Sequence, residues 1–169
     1  MYPSTSKIIN IRLGAKQDLA ERIVNYFKAL NFDCFVGGSV RFGCQSTDSD
    51  VDIIIYVPDR LREFFMKLVY RAGYYPVKED DTDIYNNSKI KVVHLGSDID
   101  LLTVSDKEYF DQEKNNHHMI ERMVSGFSRP YGKTLIDYIL DLKGKGVKGS
   151  TIYQMLVVAA RERYVDSPT

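Results

Sequence analysis

The sequence is poor in cysteine, has no net charge and contains no long hydrophobic run. Its two cysteines, Cys34 and Cys44, have no second pair to join, so neither a disulfide framework nor a cysteine-based zinc site is expected. Cys34 reads instead as a small hydrophobe within a strand, and the cytoplasm is the expected compartment. Lys plus Arg and Asp plus Glu are both 23, which argues against a strongly basic nucleic-acid binder while leaving room for a local patch. No stretch approaches the ~20 apolar residues of a membrane span, and the N-terminal MYPSTSKIIN has no signal-peptide core. What is present is ordinary for a globular chain: 169 residues, 44% hydrophobic and 27% charged, enough for one domain with a real core.

Residues 1–14 are weakly patterned and read as an arm. Leu19, Ala20, Ile23, Val24, Phe27 and Leu30 then recur at the spacing of an amphipathic helix over Ala15–Leu30. A first strand is expected from Cys34 to Val36, followed by a Gly37-Gly38-Ser39 turn with Ser39 capping a short helix to Gly43. A second strand runs from Asp50 to Val57, and a helix from Pro58-Asp59 to Gly73. Tyr74–Val77 and Thr82–Tyr85 read as short strands around an acidic turn, KEDDTD. Further strands follow at Lys89–Leu95 and Asp98–Val104. Ser105 and Glu108 form a capping-box pattern for a helix to about Gly126. Helical patterns at Lys133–Leu142 and Thr151–Tyr164 are joined by the linker KGKGVKGS. This order predicts an α/β (α+β) fold without the regular alternation of a doubly wound sheet. The division expected is a core over residues 1–130 with a helical extension over 131–169, packed as one compact unit.

Two of these strands open on paired aspartates, Asp50 with Asp52 and Asp98 with Asp100. Strand side chains alternate, so Asp50 and Asp52 share one face while Val51 and Ile53 point into the core. Like charges so placed repel unless a proton or a cation lies between them. If the two strands are neighbours, their acidic ends converge beside the Gly38-Ser39 turn. Carboxylates around hard cations, with backbone amides nearby for phosphate oxygens, suit phosphoryl or nucleotidyl transfer.

The pattern Gly38-Ser39, Gly43, Ser49-Asp50-Val51-Asp52 and a later Asp100 in IDLL resembles the nucleotidyltransferase superfamily, which includes DNA polymerase beta, the CCA-adding enzymes and the minimal nucleotidyltransferases. The twelve positions from Gly38 to Asp50 (50 minus 38) match the minimal members, and GGSVR is similar to the CCA-adding form of the turn. The resemblance covers about residues 15–104 and implies a mixed β-sheet core flanked by helices. It implies that Asp50 and Asp52 bind two Mg²⁺ ions, for which Mn²⁺ can substitute. Asp100 completes one metal site and helps deprotonate the acceptor hydroxyl, with Asp98 as the alternative third ligand. Gly38 and Ser39 hold the triphosphate of ATP or another nucleoside triphosphate, with Arg41 and Ser49 as further nucleotide contacts. The acceptor is expected to be a small molecule, a protein hydroxyl or an RNA end, with no membrane partner. A catalytically silent nucleotide-binding or regulatory protein on the same scaffold is the alternative.

Other motifs give less. Asp48-x-Asp50-x-Asp52 starts like a calcium loop, but Ile53 stands where glycine is required and no bidentate Glu follows. An aspartate pair alone would read as a solvated turn. GKGVKGST lacks the lysine of a phosphate-binding loop and follows a helix, so it reads as a linker whose Lys143, Lys145 and Lys148 could touch phosphates. His117 and His118 are adjacent on a helix and do not share a face.

Overall fold

The computed structural model describes residues 5–45, 49–74, 78–80, 90–96, 98–126 and 134–164. Strands β1 (Cys34–Gly37), β2 (Val51–Tyr56), β3 (Lys78–Asp80), β4 (Ile90–His94) and β5 (Ile99–Val104) form one mixed sheet in the order β1-β2-β5-β4-β3. β2 and β5 run parallel, and the other three pairings are antiparallel. The helices are α1 (Thr5–Ala29), α2 (Gly38–Phe42), α3 (Arg62–Arg71), α4 (Lys107–Gly126), α5 (Leu135–Gly144) and α6 (Gly149–Tyr164). The architecture is α+β, as the element order predicts.

Alternation along β2 assigns the two faces. Val51, Ile53 and Ile55 are fully buried against Leu101, Val93 and the α1 and α3 side chains Phe27 and Phe65. Phe27, Phe32 and Phe65 meet there with ring centroids 5.2–6.4 Å apart. Ile54 faces the other way, into a smaller cluster with Phe35, Ile90, Leu102, Val104 and Phe110 of α4. Asp52 and Asp100 alternate with the fully buried row and so belong to this second face. Beyond it, α5 and α6 pack on α4 through Ile120, Met123, Ile139, Ile152 and Leu156, and Phe42 of α2 joins the same cluster.

Several local expectations change. α1 begins at Thr5, not Ala15: Gly14 costs a helix only about 1 kcal/mol and does not stop one by itself. A 3-10 turn, Asp59–Leu61, precedes α3. Lys78–Asp80, expected in an acidic turn, is the edge strand β3, paired by its backbone with Val92–His94. Tyr74 is not in a strand, and the rest of the two short strands expected around that turn lies outside the described residues. Gly37, not Ser39, precedes α2, and Ser39 lies inside it. Asp106 rather than Ser105 caps α4, its Oδ1 accepting the Tyr109 N–H at 2.8 Å.

The linker is shorter than its glycines suggest. α5 runs through Gly144 and closes with Gly146 at φ +84, Val147 N donating to Leu142 O and Gly146 N to Lys143 O, both at 3.0 Å. That is a Schellman cap, which needs the left-handed conformation that glycine supplies. Lys143 therefore sits on a helix with a fixed direction.

Candidate active site

The site is built where β1 turns into α2 over the ends of β2 and β5. Gly38 adopts φ +62, and a Cβ there would collide with Asp52 Oδ2, so both the backbone conformation and the close approach require glycine. One residue on, Ser39 Oγ accepts from Lys143 Nζ at 2.5 Å, and the same ammonium donates to Cys44 O at 3.0 Å. A lysine 104 residues away in sequence is thus drawn to the glycine turn.

Asp52 and Asp100 are register partners on the parallel β2–β5 pair and face the same side. Asp50 lies one residue before β2 and is exposed, while Val51 N donates to Asp98 O at 2.7 Å and ties the two strand openings together. Burial of the Asp52 carboxyl, reinforced by the Asp100 and Asp50 charges and opposed by Lys143, pushes its pKa up to about 7. Asp50 is also raised, by burial and then by Asp100 and Asp98, with Lys16 and His94 opposing. Burial lowers the Lys143 pKa, against the pull of Cys44 and Asp52. The Asp100 carboxylate meets His94 Nδ1 at 2.6 Å.

Among the described residues, no three His, Cys, Asp or Glu side chains stand together as a ready-made metal cage. The donor set nevertheless fits a hard divalent cation: Asp50, Asp52 and Asp100 offer only oxygens, and Asp52 is pushed towards neutrality by burial first and then by the like charges of Asp100 and Asp50, which a cation would offset. Magnesium is commonly held by one or two carboxylates plus substrate phosphates. Both thiols are raised to about 11 by burial, so neither cysteine is available as a nucleophile near pH 7.

A cavity of about 560 Å³ opens from these groups along the second face of the sheet. Gly38, Ser39, Ser49, Asp50, Asp52, Asp100 and Lys143 line one part of it. Ile54, Ile90, Leu102 and Val104 form its floor, and Tyr109, Glu113, His117 and Tyr153 line the part against α4 and α6. Ser49 also accepts at its carbonyl from Lys16 Nζ at 2.5 Å. Two expected site residues do not line this cavity, although the Asp98 charge still bears on Asp50. Arg41 is ion-paired with Glu121 at 2.9 Å and borders a separate groove, and Asp98 is exposed at the bend before β5.

Residues 18–95 match the family model of the nucleotidyltransferase domain. Over that stretch the chain is similar to the nucleotidyltransferase domain. The matched segment of this domain contains the glycine turn, Asp50 and Asp52, and stops at Leu95, short of Asp100. Among solved structures, similar chains include a cytoplasmic RNA terminal U-transferase, at 15% identity and TM-score 0.42 over 72% of this chain and 38% of that one. Another is a mutant of the Cid1 poly(U) polymerase bound to MgATP, at 14% identity and TM-score 0.40 over 75% of this chain. The chain spans 38% and 47% of the lengths of these two proteins. No curated protein matches the sequence. No helix among the described residues is long and apolar enough to cross a membrane.

Sequence reasoning missed His94 and the placement of Lys143. His94 could have been found: it closes β4 directly opposite Asp100 in antiparallel register. Lys143 could not, because its role depends on how α5 packs.

Proposed function

We propose that the protein is a divalent-metal-dependent nucleotidyltransferase, moving a nucleoside monophosphate from ATP or another nucleoside triphosphate to an acceptor hydroxyl with release of pyrophosphate. The observation that carries this reading is the pairing of Asp52 with Asp100 on neighbouring parallel strands, directly under the Gly38-Ser39 turn that Lys143 also reaches.

In this reading Asp50, Asp52 and Asp100 hold Mg²⁺ or Mn²⁺, whose chemistry when bound is to neutralise phosphate charge and lower the pKa of the attacking hydroxyl. Gly38 leaves the α2 backbone open to phosphate oxygens. Ser39 Oγ and Lys143 Nζ, now bonded to each other, exchange that bond for contacts to the triphosphate. His94 keeps the Asp100 carboxylate turned towards β4 until the site is filled. The acceptor is a small molecule, a protein hydroxyl or an RNA end, and balanced charge favours these over a long nucleic-acid footprint. Two free, buried thiols suit a cytoplasmic setting.

One observation favours a silent nucleotide-binding protein instead: the Asp100 carboxylate is already engaged by His94 Nδ1 at 2.6 Å. Incubation with each α-labelled triphosphate, Mg²⁺ or Mn²⁺ and a cell extract separates the two. Label on an acceptor that disappears with Asp50→Ala and Asp52→Ala supports the transferase. Nucleotide binding without transfer under either metal supports the silent protein.

A further inference from the structure

The part of the cavity against α4 and α6 carries polar groups that the transfer chemistry leaves unused. Glu113 of α4 lies there among apolar walls, its carboxyl pushed up by burial although Tyr153, Asn116 and Arg161 oppose the shift. Tyr153 of α6 donates from its hydroxyl to Glu113 Oε2 at 2.5 Å, and Asn116 Nδ2 donates to Glu113 Oε1 at 3.3 Å. Asn116 is in turn held by Arg161, whose Nη2 and Nε reach its Oδ1 at 3.3 and 3.4 Å.

His117 Nδ1 lies 2.8 Å from the Glu113 carbonyl, which can only accept, so Nδ1 carries the proton. Burial keeps this ring neutral at pH 7, with a pKa of about 4, so its Nε2 is an acceptor. Phe42 stacks on the imidazole with centroids 5.5 Å apart, and Tyr153 lies against it at 5.1 Å. This end of the cavity therefore offers planar rings and an anchored carboxylate. Each carboxylate oxygen has a further lone pair beyond its protein donor.

Resting on the nucleotide reading above, we propose that Glu113, oriented by Tyr153 and Asn116, reads the nucleobase and selects bases that carry an amino group over uracil. Adenine, guanine and cytosine each present an exocyclic –NH₂ that a carboxylate can accept from. Uracil presents carbonyls on both sides of its single ring N–H, and these face the Glu113 charge unfavourably. A buried polar group that loses its partner penalises the wrong ligand more than an apolar wall does. The carbonyl Oε1 of a Gln at the same position still accepts from Tyr153, so Glu113→Gln removes the charge with little change of shape, at the cost of the Asn116 bond, which its amide nitrogen cannot accept.

The test is calorimetric titration of the full chain with ATP, GTP, CTP and UTP in Mg²⁺. The wild-type protein is expected to bind the three amino-bearing triphosphates roughly tenfold or more tighter than UTP, as a charge-assisted hydrogen bond implies. In Glu113→Gln that gap narrows to less than about threefold, mostly through weaker ATP, GTP and CTP binding. Tyr153→Phe, which frees the carboxylate from its orienting donor, narrows the gap in the same direction and guards against one variant misfolding. UTP binding as tight as ATP in the wild type, or a gap undiminished in the folded Gln variant, overturns the base-reading role alone. Failure of all four triphosphates to bind overturns the nucleotide site itself and this inference with it.

Discussion

Asp52→Asn should make the metal-free protein more stable while abolishing transfer. In the fold the Asp52 carboxyl titrates at about 7 instead of 3.8, because it is buried and faces Asp100 and Asp50. The native state thus holds a proton there that the unfolded chain has already released, so stability falls as pH rises from about 4 to about 7. At 1.36 kcal/mol per pH unit, a shift from 3.8 to about 7 corresponds to a penalty of about 4 kcal/mol for the ionised carboxylate, as an order of magnitude. An amide of the same shape is not ionised and escapes it. For a chain of this length, 1 kcal/mol moves the melting temperature by about 2–4 °C, so the variant should melt roughly 10 °C higher at pH 8.

The assay is thermal denaturation in EDTA from pH 4 to pH 8, comparing the two proteins at each pH. Other groups titrate as well, but they are common to both proteins, so the difference isolates Asp52. The gap should be largest at pH 8 and close as pH falls towards 4. Mg²⁺ with a non-hydrolysable triphosphate should restore stability to the wild type only, by about 2.7 kcal/mol at a hundredfold excess over Kd. A variant that melts at or below the wild type at pH 8 would refute the claim that Asp52 is a charge in need of a cation.

Gly38→Ala forces a left-handed alanine, about 1–2 kcal/mol, and drives its methyl into Asp52 Oδ2. Transfer should fall by far more than that loss of stability explains, as measured by kcat/KM alongside a melting curve. Lys143→Ala removes the ammonium at the Ser39 turn, and KM for the triphosphate should rise roughly tenfold to a hundredfold, with the fold unchanged by circular dichroism. His117 titrates at about 4 in the fold against 6.5 unfolded, so its contribution is complete above pH 6.5 and lost as pH falls through 4, about 3 kcal/mol in all. His117→Phe, which keeps a ring against Phe35 and Phe42, should flatten the acid limb of the stability profile between those values in urea titrations.

How much of this was legible in the sequence follows from which interactions are local. The β2 and β5 strands were visible because isoleucines and leucines fill both faces behind a single polar position, and their acidic openings survive as Asp52 and Asp100 in direct register. Periodicity failed at boundaries set by something other than burial. α1 starts well before the apolar stripe that the sequence shows, and Lys78–Asp80 is held as a strand by backbone pairing with β4, which charged side chains do not advertise. The glycine-rich stretch after α5 read as a linker because composition cannot distinguish a flexible run from a helix closed by one left-handed glycine. That closure decides where Lys143 points.

The glycine turn and its aspartates were legible because they act over short chain distances, whereas the placement of Lys143 and Tyr153 was not. Gly38, Asp50 and Asp52 lie within one turn and one strand, and chain geometry alone confines them to one place. Lys143 and Tyr153 reach the same cavity only because α5 and α6 pack on α4 through Ile139, Ile152 and Leu156. Those helices carry little that resembles a nucleotide-binding motif, yet they supply both the cation at the glycine turn and the aromatic wall opposite the sheet. Charge at the site is therefore split: the sheet contributes carboxylates that repel one another, and the helices contribute the lysine that partly offsets them. In the proposed reading Asp50, Asp52 and Asp100 would hold a divalent cation that supplies the missing positive charge, and Lys143 would then be open to the triphosphate.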